Sequence, residues 1–459
     1  MKKLLLIAAV AFASICSAQA QEAEVNQYGQ KVNAIPVTAT AQDGIMVFQN
    51  KDANYKFWFD VRIQGDAAVY FGYDKELNSG YQPANGMSLR RTRFAIKAQL
   101  DKNWYGEFDS DWTSGVPEIK DAILEYTGIE NLSIKMGNFK ENFSIQRNTT
   151  SRHLQFMERP MVTSLAPSRH LGINFKYSTP LVWASAGVFG PELKDAEAQT
   201  LMEDGNKDKS LNEGLSYTGK VVFRPLHKMT NGSLHIGAAL SYREPKTTGG
   251  DLEDALWGFA RYSTRNGTNI NRKKYLDTNN IHGLDHEVAW TVELAGHYEG
   301  LRYEAAYIAR TAHQTEEFGN NALTADGWYA QAGYMLFGGK QNYDEGGAKY
   351  TRVKRGKSWG DIEACARIEY CDFNMSDSYM GGSAWAYTLG FNIYPSENVK
   401  FVINYQFNDN DEYATAKGKA NTGYDASGKP TKNAKRIAAD SKSRGVDYSM
   451  LACRFQVAF

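Results

Sequence analysis

The stretch FSIQRNTTSRHLQFMERPMVTSLAPSRH, residues 143–170, carries Arg147, Arg152, Arg159 and Arg169 with Glu158 as its sole acid. Guanidinium groups are planar, stay charged at working pH and fit pairs of carboxylate or phosphate oxygens. The chemistry expected of such a cluster is anion binding. Pro160 and Pro167 interrupt the stretch and no alternation is sustained through it, so it reads as a loop long enough to fold into a larger structure. Arg62, Arg91, Arg93 and Lys97 fall on one parity of two nearby extended segments, while Arg90 falls on the other, placed to snorkel or to join an interface. Asp60, Asp66, Glu107, Asp109 and Asp111 share the faces of the first four. The same cations therefore read equally well as charge balance in a watery interior. Residues 408–446 hold more Lys and Arg than Asp and Glu and form a solvated loop able to gather anions over a Debye length of about 8 Å.

Other chemistry finds little support. His282 and His286 in HGLDH lack the H-E-x-x-H pattern of a zinc site, and NDNDEY lacks the glycine and distal glutamate of a calcium loop. No G-x-S-x-G or phosphate-cradling loop occurs. Neither a catalytic residue, a cofactor nor a metal is expected. The chain carries 52 Lys and Arg against 52 Asp and Glu. That balance excludes a broadly basic nucleic-acid binder and requires any selectivity to be local.

The elements that must position these residues are strands. FWFDVRIQGDAAVYF sets Phe57, Phe59, Val61, Ile63, Ala67, Val69 and Phe71 against Trp58, Asp60, Arg62, Gln64 and Asp66. RRTRFAIKAQL sets Phe94, Ile96, Ala98 and Leu100 against Arg91, Arg93 and Lys97, and similar segments recur to SMLACRFQVAF at the end. Many of these segments reach the nine or so residues a tilted strand needs to cross a bilayer, and aromatic residues crowd their ends. Short links such as YEGLRY and YPSENVKF alternate with long polar stretches at 191–213, 244–254, 265–285, 311–326, 339–358 and 408–446. An all-β transmembrane antiparallel barrel follows, with short turns on one side, long loops on the other and residues 143–170 folded inward. Residues 1–20 have the basic start, apolar stretch and Ala18-Gln19-Ala20 of an export signal cleaved before Gln21. Cys16 admits a lipoprotein alternative, against which Ile15 stands. Residues 21–54 read as a periplasmic extension with one short strand at GIMVF, and 55–459 as the barrel. Cys365, Cys371 and Cys453 are an odd set, expected as buried or lipid-side thiols.

Several stretches, taken in order, resemble the phosphate-selective porin O and P family: FDVRIQGDAAVY, MSLRRTRFAIKAQL, IKMGNFKENFSIQRNTTSRHLQFMERPMVTSLAPSRHLGINF, DGWYAQAGYMLFGG, WGDIEACARIEY, YTLGFNIYPSENVKFVINYQF and CRFQVAF. The terminal Phe459 resembles the aromatic by which outer-membrane proteins are recognised for insertion. The resemblance implies a bacterial outer-membrane homotrimer of about sixteen-stranded barrels, set in lipid and passing small anions such as phosphate. It also implies a pore lined by arginine and lysine. Two other readings stay open. One is a general diffusion porin without phosphate preference. The other is an outer-membrane barrel enzyme, which needs a Ser/His or Asp/His arrangement at a rim.

Overall fold

A computed structural model describes residues 28–30, 35–42, 44–190, 192–193, 211–212, 214–245, 247–248 and 258–459. The signal segment, part of the 21–54 extension and much of the stretches at 191–213 and 244–254 lie outside the described residues. The chain opens with a hairpin of β1 (Val37–Gln42) and β2 (Ile45–Asn50). Sixteen longer strands follow: β3 (Lys56–Phe71), β4 (Gly86–Leu100), β5 (Trp104–Asp111), β6 (Glu118–Ile129), β7 (Leu132–Lys140), β8 (Arg169–Ser178), β9 (Val182–Phe189), β10 (Ser216–Phe223), β11 (Gly232–Arg243), β12 (Leu284–Tyr298), β13 (Leu301–Gln314), β14 (Ala322–Met335), β15 (Asp361–Ser376), β16 (Tyr379–Tyr394), β17 (Val399–Asn410) and β18 (Tyr448–Ala458). Each pairs antiparallel with its neighbour in sequence. The last returns to the first through Ser449↔Phe71 to Ala458↔Arg62, which closes the barrel.

The closed sheet explains the alternation. Phe94, Ile96, Phe108, Leu240, Val292, Phe391, Leu451 and Phe455 stand exposed on the outer face. Asp60, Arg62, Gln64, Glu293, Arg367 and Arg454 are buried inside. Outward apolar side chains meet hydrocarbon, and every wall strand gives its backbone hydrogen bonds to two neighbours. The wall is uneven in height. β5, β9 and β10 have 8 residues each, whereas β15 and β16 have 16.

Three features depart from the sequence pattern. The extension forms a complete hairpin, not one strand, and β2 continues the wall by pairing Val47–Gln49 with Trp58–Lys56 below the point where β18 ends. Residues 336–360 lie at the short-turn end, between β14 and β15, and so do not join the long loops on the opposite side. They contain a small hairpin, Tyr343–Asp344 against Lys349–Tyr350, that turns into the lumen. Its Tyr350 hydroxyl accepts from Gly296 N–H at 2.9 Å and donates to Tyr303 O at 2.6 Å. Finally, the link at 377–378 is tight although it lies at the long-loop end.

The in-folded segment 141–168 is present as expected and has its own apolar seat. Its Met157, Met161, Val162 and Leu165 are buried in one cluster with wall residues Ala306, Ala312, Ala325, Ala384 and Phe373. Small inward residues there make room for the loop. A Cβ on Gly327 would stand 3.1 Å from Val162 Cγ2 and 2.3 Å from Tyr370 O. Cys365 and Cys371 are buried beneath this loop, and Cys453 is exposed on the outer parity.

Phe94 packs on Phe59 on the outer face with ring centroids 5.6 Å apart. Phe94→Arg should cost about 2–4 kcal/mol if this site lies near the bilayer midplane. Equilibrium unfolding from phospholipid vesicles measures the cost; wild-type stability would invert the assignment of faces.

Candidate functional site

The loop lies against one half of the wall and is tied to it by its backbone. Ile145 N–H donates to Glu293 Oε2 (2.7 Å), Met157 N–H to Asn404 Oδ1 (3.0 Å) and Met161 N–H to Glu369 Oε2 (2.5 Å). The carbonyls of His153, Leu154, Gln155, Met157 and Glu158 accept from Arg302, Lys400, Asn392, Arg454 and Arg367 respectively. A loop taken from water into a lumen must satisfy these groups, and charged and amide side chains of the wall do so here. Glu363 joins the two in-folded segments: its carboxylate accepts from Gln155 (2.7 Å) and Gln341 (2.9 Å), as well as from Asn392 and Tyr394.

Two cavities flank the loop. On the long-loop side, Arg90, Arg91, Arg147, Arg159, Arg265 and Lys274 line a vestibule of ≈ 310 Å³, with Glu158 as its one carboxylate among the described residues. On the other side of the loop lies a chamber of ≈ 600 Å³ between residues 148–153 and the wall of β3–β9. Arg62, Arg93, Lys97, Lys135, Lys140, Arg152, Arg169, Lys176 and Lys349 face Asp60, Glu107, Asp109, Asp121, Glu125 and Asp344 across it.

The cations fall into two sets by partner. In the wall, Arg93 pairs with Asp111 (3.1 Å) and Asp109 (3.7 Å), Lys97 with Asp60 (2.9 Å) and Glu107 (3.3 Å), and Arg169 with Asp121 (2.8 Å). Lys135 and Lys176 both meet Glu125. Arg152 belongs with this set through Asp60. The loop's own Arg147 and Arg159 are held by carbonyl oxygens instead. Arg147 donates to Thr163 O and Ala166 O, both at 2.9 Å. Arg159 donates to Gln146 O (2.6 Å) and Thr149 O (2.8 Å). Lys140 likewise donates to Arg147 O at 3.0 Å. A carbonyl fixes a guanidinium without cancelling its charge. Burial first, then Arg147, Arg169 and Arg93 nearby, push the Arg159 guanidinium below its usual range, although it stays protonated at neutral pH.

Of the residues predicted from sequence, Arg62, Arg93, Lys97, Arg152 and Arg169 line the inner chamber, and Arg91, Arg147 and Arg159 the vestibule. Arg62 donates to Ser151 Oγ at 2.8 Å. Arg90 does not face out. β3 and β4 slip register between Gln64 and Gly65, so Gln64 pairs with Arg91 and Gly65 with Leu89. The bulged Arg90 turns inward beside Arg91, and both reach Glu158. Strict alternation conceals such an inversion. Lys140, Arg265, Lys274 and Lys349 were also missed, the last three because they lie on loops with no period.

A closed barrel with a polar lumen narrowed by an inward loop is an outer-membrane porin channel. Residues 57–429 match the family described as "Phosphate-selective porin O and P", and the chain belongs to that family. Porin O of Pseudomonas aeruginosa is 26% identical over 382 residues, covering 77% of this chain and 83% of that protein. Among solved structures, the anion-selective porin of Comamonas acidovorans has a TM-score of 0.51 at 10% identity and covers 88% of this chain and 100% of its own. The trimer form of OmpT from Vibrio cholerae has a TM-score of 0.50 at 10% identity and covers 88% and 99%. These two likenesses establish the fold alone.

Glu363→Ala removes an acceptor shared by four donors, and each donor left buried costs about 1–3 kcal/mol. Both in-folded segments should loosen, giving larger and noisier single-channel currents in planar bilayers. Currents as quiet as wild type would exclude Glu363 as their tie.

Proposed function

We propose that the protein is a passive anion channel of the outer membrane, with phosphate as the preferred solute. Its filter is the passage between the loop arginines Arg147 and Arg159 and the wall cations Arg93, Lys140 and Arg169. The observation that carries this reading is the pairing pattern. Most wall cations sit on carboxylates, whereas the loop arginines sit on carbonyls and keep their field for a passing ion. Arg62, Arg91, Lys97 and Arg152 shape the path on either side. The planar forks of the arginines suit tetrahedral oxyanions over chloride. Several sites in series let a bound ion leave as readily as it arrives. On this reading the function is transport without catalysis.

The mature chain on this reading begins at Gln21, is exported and inserts as a homotrimer in outer-membrane lipid. The low wall supports the trimer. Strands of 8 residues in β5, β9 and β10 fall short of the nine to eleven that a bilayer needs, and neighbouring copies would cover them.

The test is the zero-current potential in a potassium chloride gradient, followed by phosphate titration at fixed chloride. Wild type should favour chloride over potassium, and low phosphate should reduce the chloride current. Arg147→Gln with Arg159→Gln should move the potential toward potassium by several-fold in permeability ratio. Arg152→Gln, which strips Asp60 of a partner within a paired set, should shift it less. Because arginine does not titrate near neutrality, the share of the ratio set by Arg93, Arg147, Arg159 and Arg169 should stay flat between about pH 6 and 8, which a Lys140→Arg background isolates. A wild-type channel that passes both ions equally without phosphate block would be a general diffusion porin.

A further inference from the structure

Among the described residues, Glu158 is the one carboxylate that lines the vestibule. Its oxygens take both arms of Arg90, at 2.6 and 3.1 Å, and lie 3.0 Å from Arg454 and 3.8 Å from Arg91. Two readings compete for it. As a latch, the carboxylate would fasten the loop to the wall. As a counter-ion, it would fill a site that an incoming anion needs.

The bonds around it favour the second. The backbone of this part of the loop is already fastened without the carboxylate: Arg367 holds Glu158 O at 3.0 Å, Asn404 holds Met157 N–H at 3.0 Å and Glu369 holds Met161 N–H at 2.5 Å. Arg454 does not need Glu158 either. Asp66 grips its fork at 2.6 and 2.7 Å, and Met157 O accepts from it at 2.5 Å. What Glu158 neutralises is therefore the exposed end of the cluster. The side chains of Arg90 and Glu158 keep 25% and 18% exposure, with Arg91 behind them at 5% but still in the vestibule lining, whereas Arg454 keeps 2% and is not part of that lining. Burial alone would raise the Glu158 carboxyl, but Arg90, Arg91 and Arg454 hold it well below the usual carboxylate range, so it is ionised whenever the channel works.

We infer that Glu158 is the channel's built-in competitor: its carboxylate occupies the Arg90–Arg91 pair in the resting pore and yields it to an incoming oxyanion, which sets how tightly that ion is held. This inference deepens the anion-channel reading and rests on it. A carboxylate presents the guanidinium fork with the same pair of oxygens as a phosphate does. Without it, the vestibule would hold cations alone and bind a phosphate too firmly to pass it on. Glu158 touches the passing ion only by trading places with it, so its effect is on specificity and rate of release.

The experiment compares wild type, Glu158→Gln and Glu158→Asp in planar bilayers, after confirming by heat-modifiable gel mobility that each barrel is folded. Two readouts are taken: the phosphate concentration that halves the chloride current, and the zero-current potential. Glu158→Gln should lower the half-blocking concentration by about tenfold, reduce the current at saturating phosphate and shift the potential toward chloride. Glu158→Asp keeps the charge but is one methylene too short to sit on Arg90. It should lower the half-blocking concentration by a factor smaller than in Glu158→Gln but still beyond about twofold, while leaving the potential at its wild-type value. A purely structural latch would give noisier, larger currents with no tightening of the block. A half-blocking concentration within about twofold of wild type in Glu158→Gln overturns the inference; if that variant does not fold, the same result in Glu158→Asp does so. Failure of the underlying reading looks different, since the wild type would then show no preference for chloride. In that case the shift of potential in Glu158→Gln still decides whether Glu158 offsets the vestibule's charge.

Discussion

Hydrocarbon offers no partner for a peptide N–H or C=O, and this constraint governs the molecule from its wall to its filter. It obliges β18 to return to β3, from Ser449↔Phe71 to Ala458↔Arg62, so that no wall strand keeps a bare edge in lipid. Closure then creates an inside. Once the outer parity is given to Phe94, Leu240, Phe391 and Leu451, the inner parity is free to carry charge. The same constraint reaches the in-folded loop, which leaves water when it enters the lumen and must find partners for its own backbone. It finds them in Glu293, Glu369, Arg302, Arg367, Lys400 and Arg454.

Charged residues of the lumen thus have separate tasks according to where the loop lies. Behind it, on β12–β18, they hold peptide groups and are sealed from the path. In front of it, on β3–β9, they face water in pairs, and the pairing cancels much of their field. On the proposed reading, the net field comes from cations that carbonyls hold in place, foremost Arg147 and Arg159. The proposed selectivity thus asks only that charge be sorted by partner, since the chain has equal numbers of acids and bases and cations do not predominate.

The barrel was legible because a lipid face demands apolar residues over most of its height. The period of two in FWFDVRIQGDAAVYF and SMLACRFQVAF maps directly onto inside and outside. The inward loop was legible from a break in that period together with its arginines. What stayed hidden depends on partners or on one-residue slips. Arg90 sits on the lipid parity by counting, and only the bulge opposite Gln64 turns it inward. The segment 336–360 has the polarity of an outer loop, and its placement follows from strand count. The seat of the loop had a faint signal: Ala306, Ala312, Ala325 and Gly327 are small residues on an inner parity that elsewhere carries large polar ones. No reading of residue types could foresee that Arg152 would be neutralised by Asp60 while Arg159 would not.

The central claim, that loop arginines held by carbonyls form the anion filter, is tested most directly by locating an ion. Crystals soaked in arsenate, a heavy tetrahedral analogue of phosphate, would be measured at the arsenic absorption edge. The account predicts an anomalous peak in the passage bounded by Arg147, Arg159, Arg93 and Arg169. Peaks confined to surface lysines of the outer loops, with that passage empty at saturating arsenate, would contradict it.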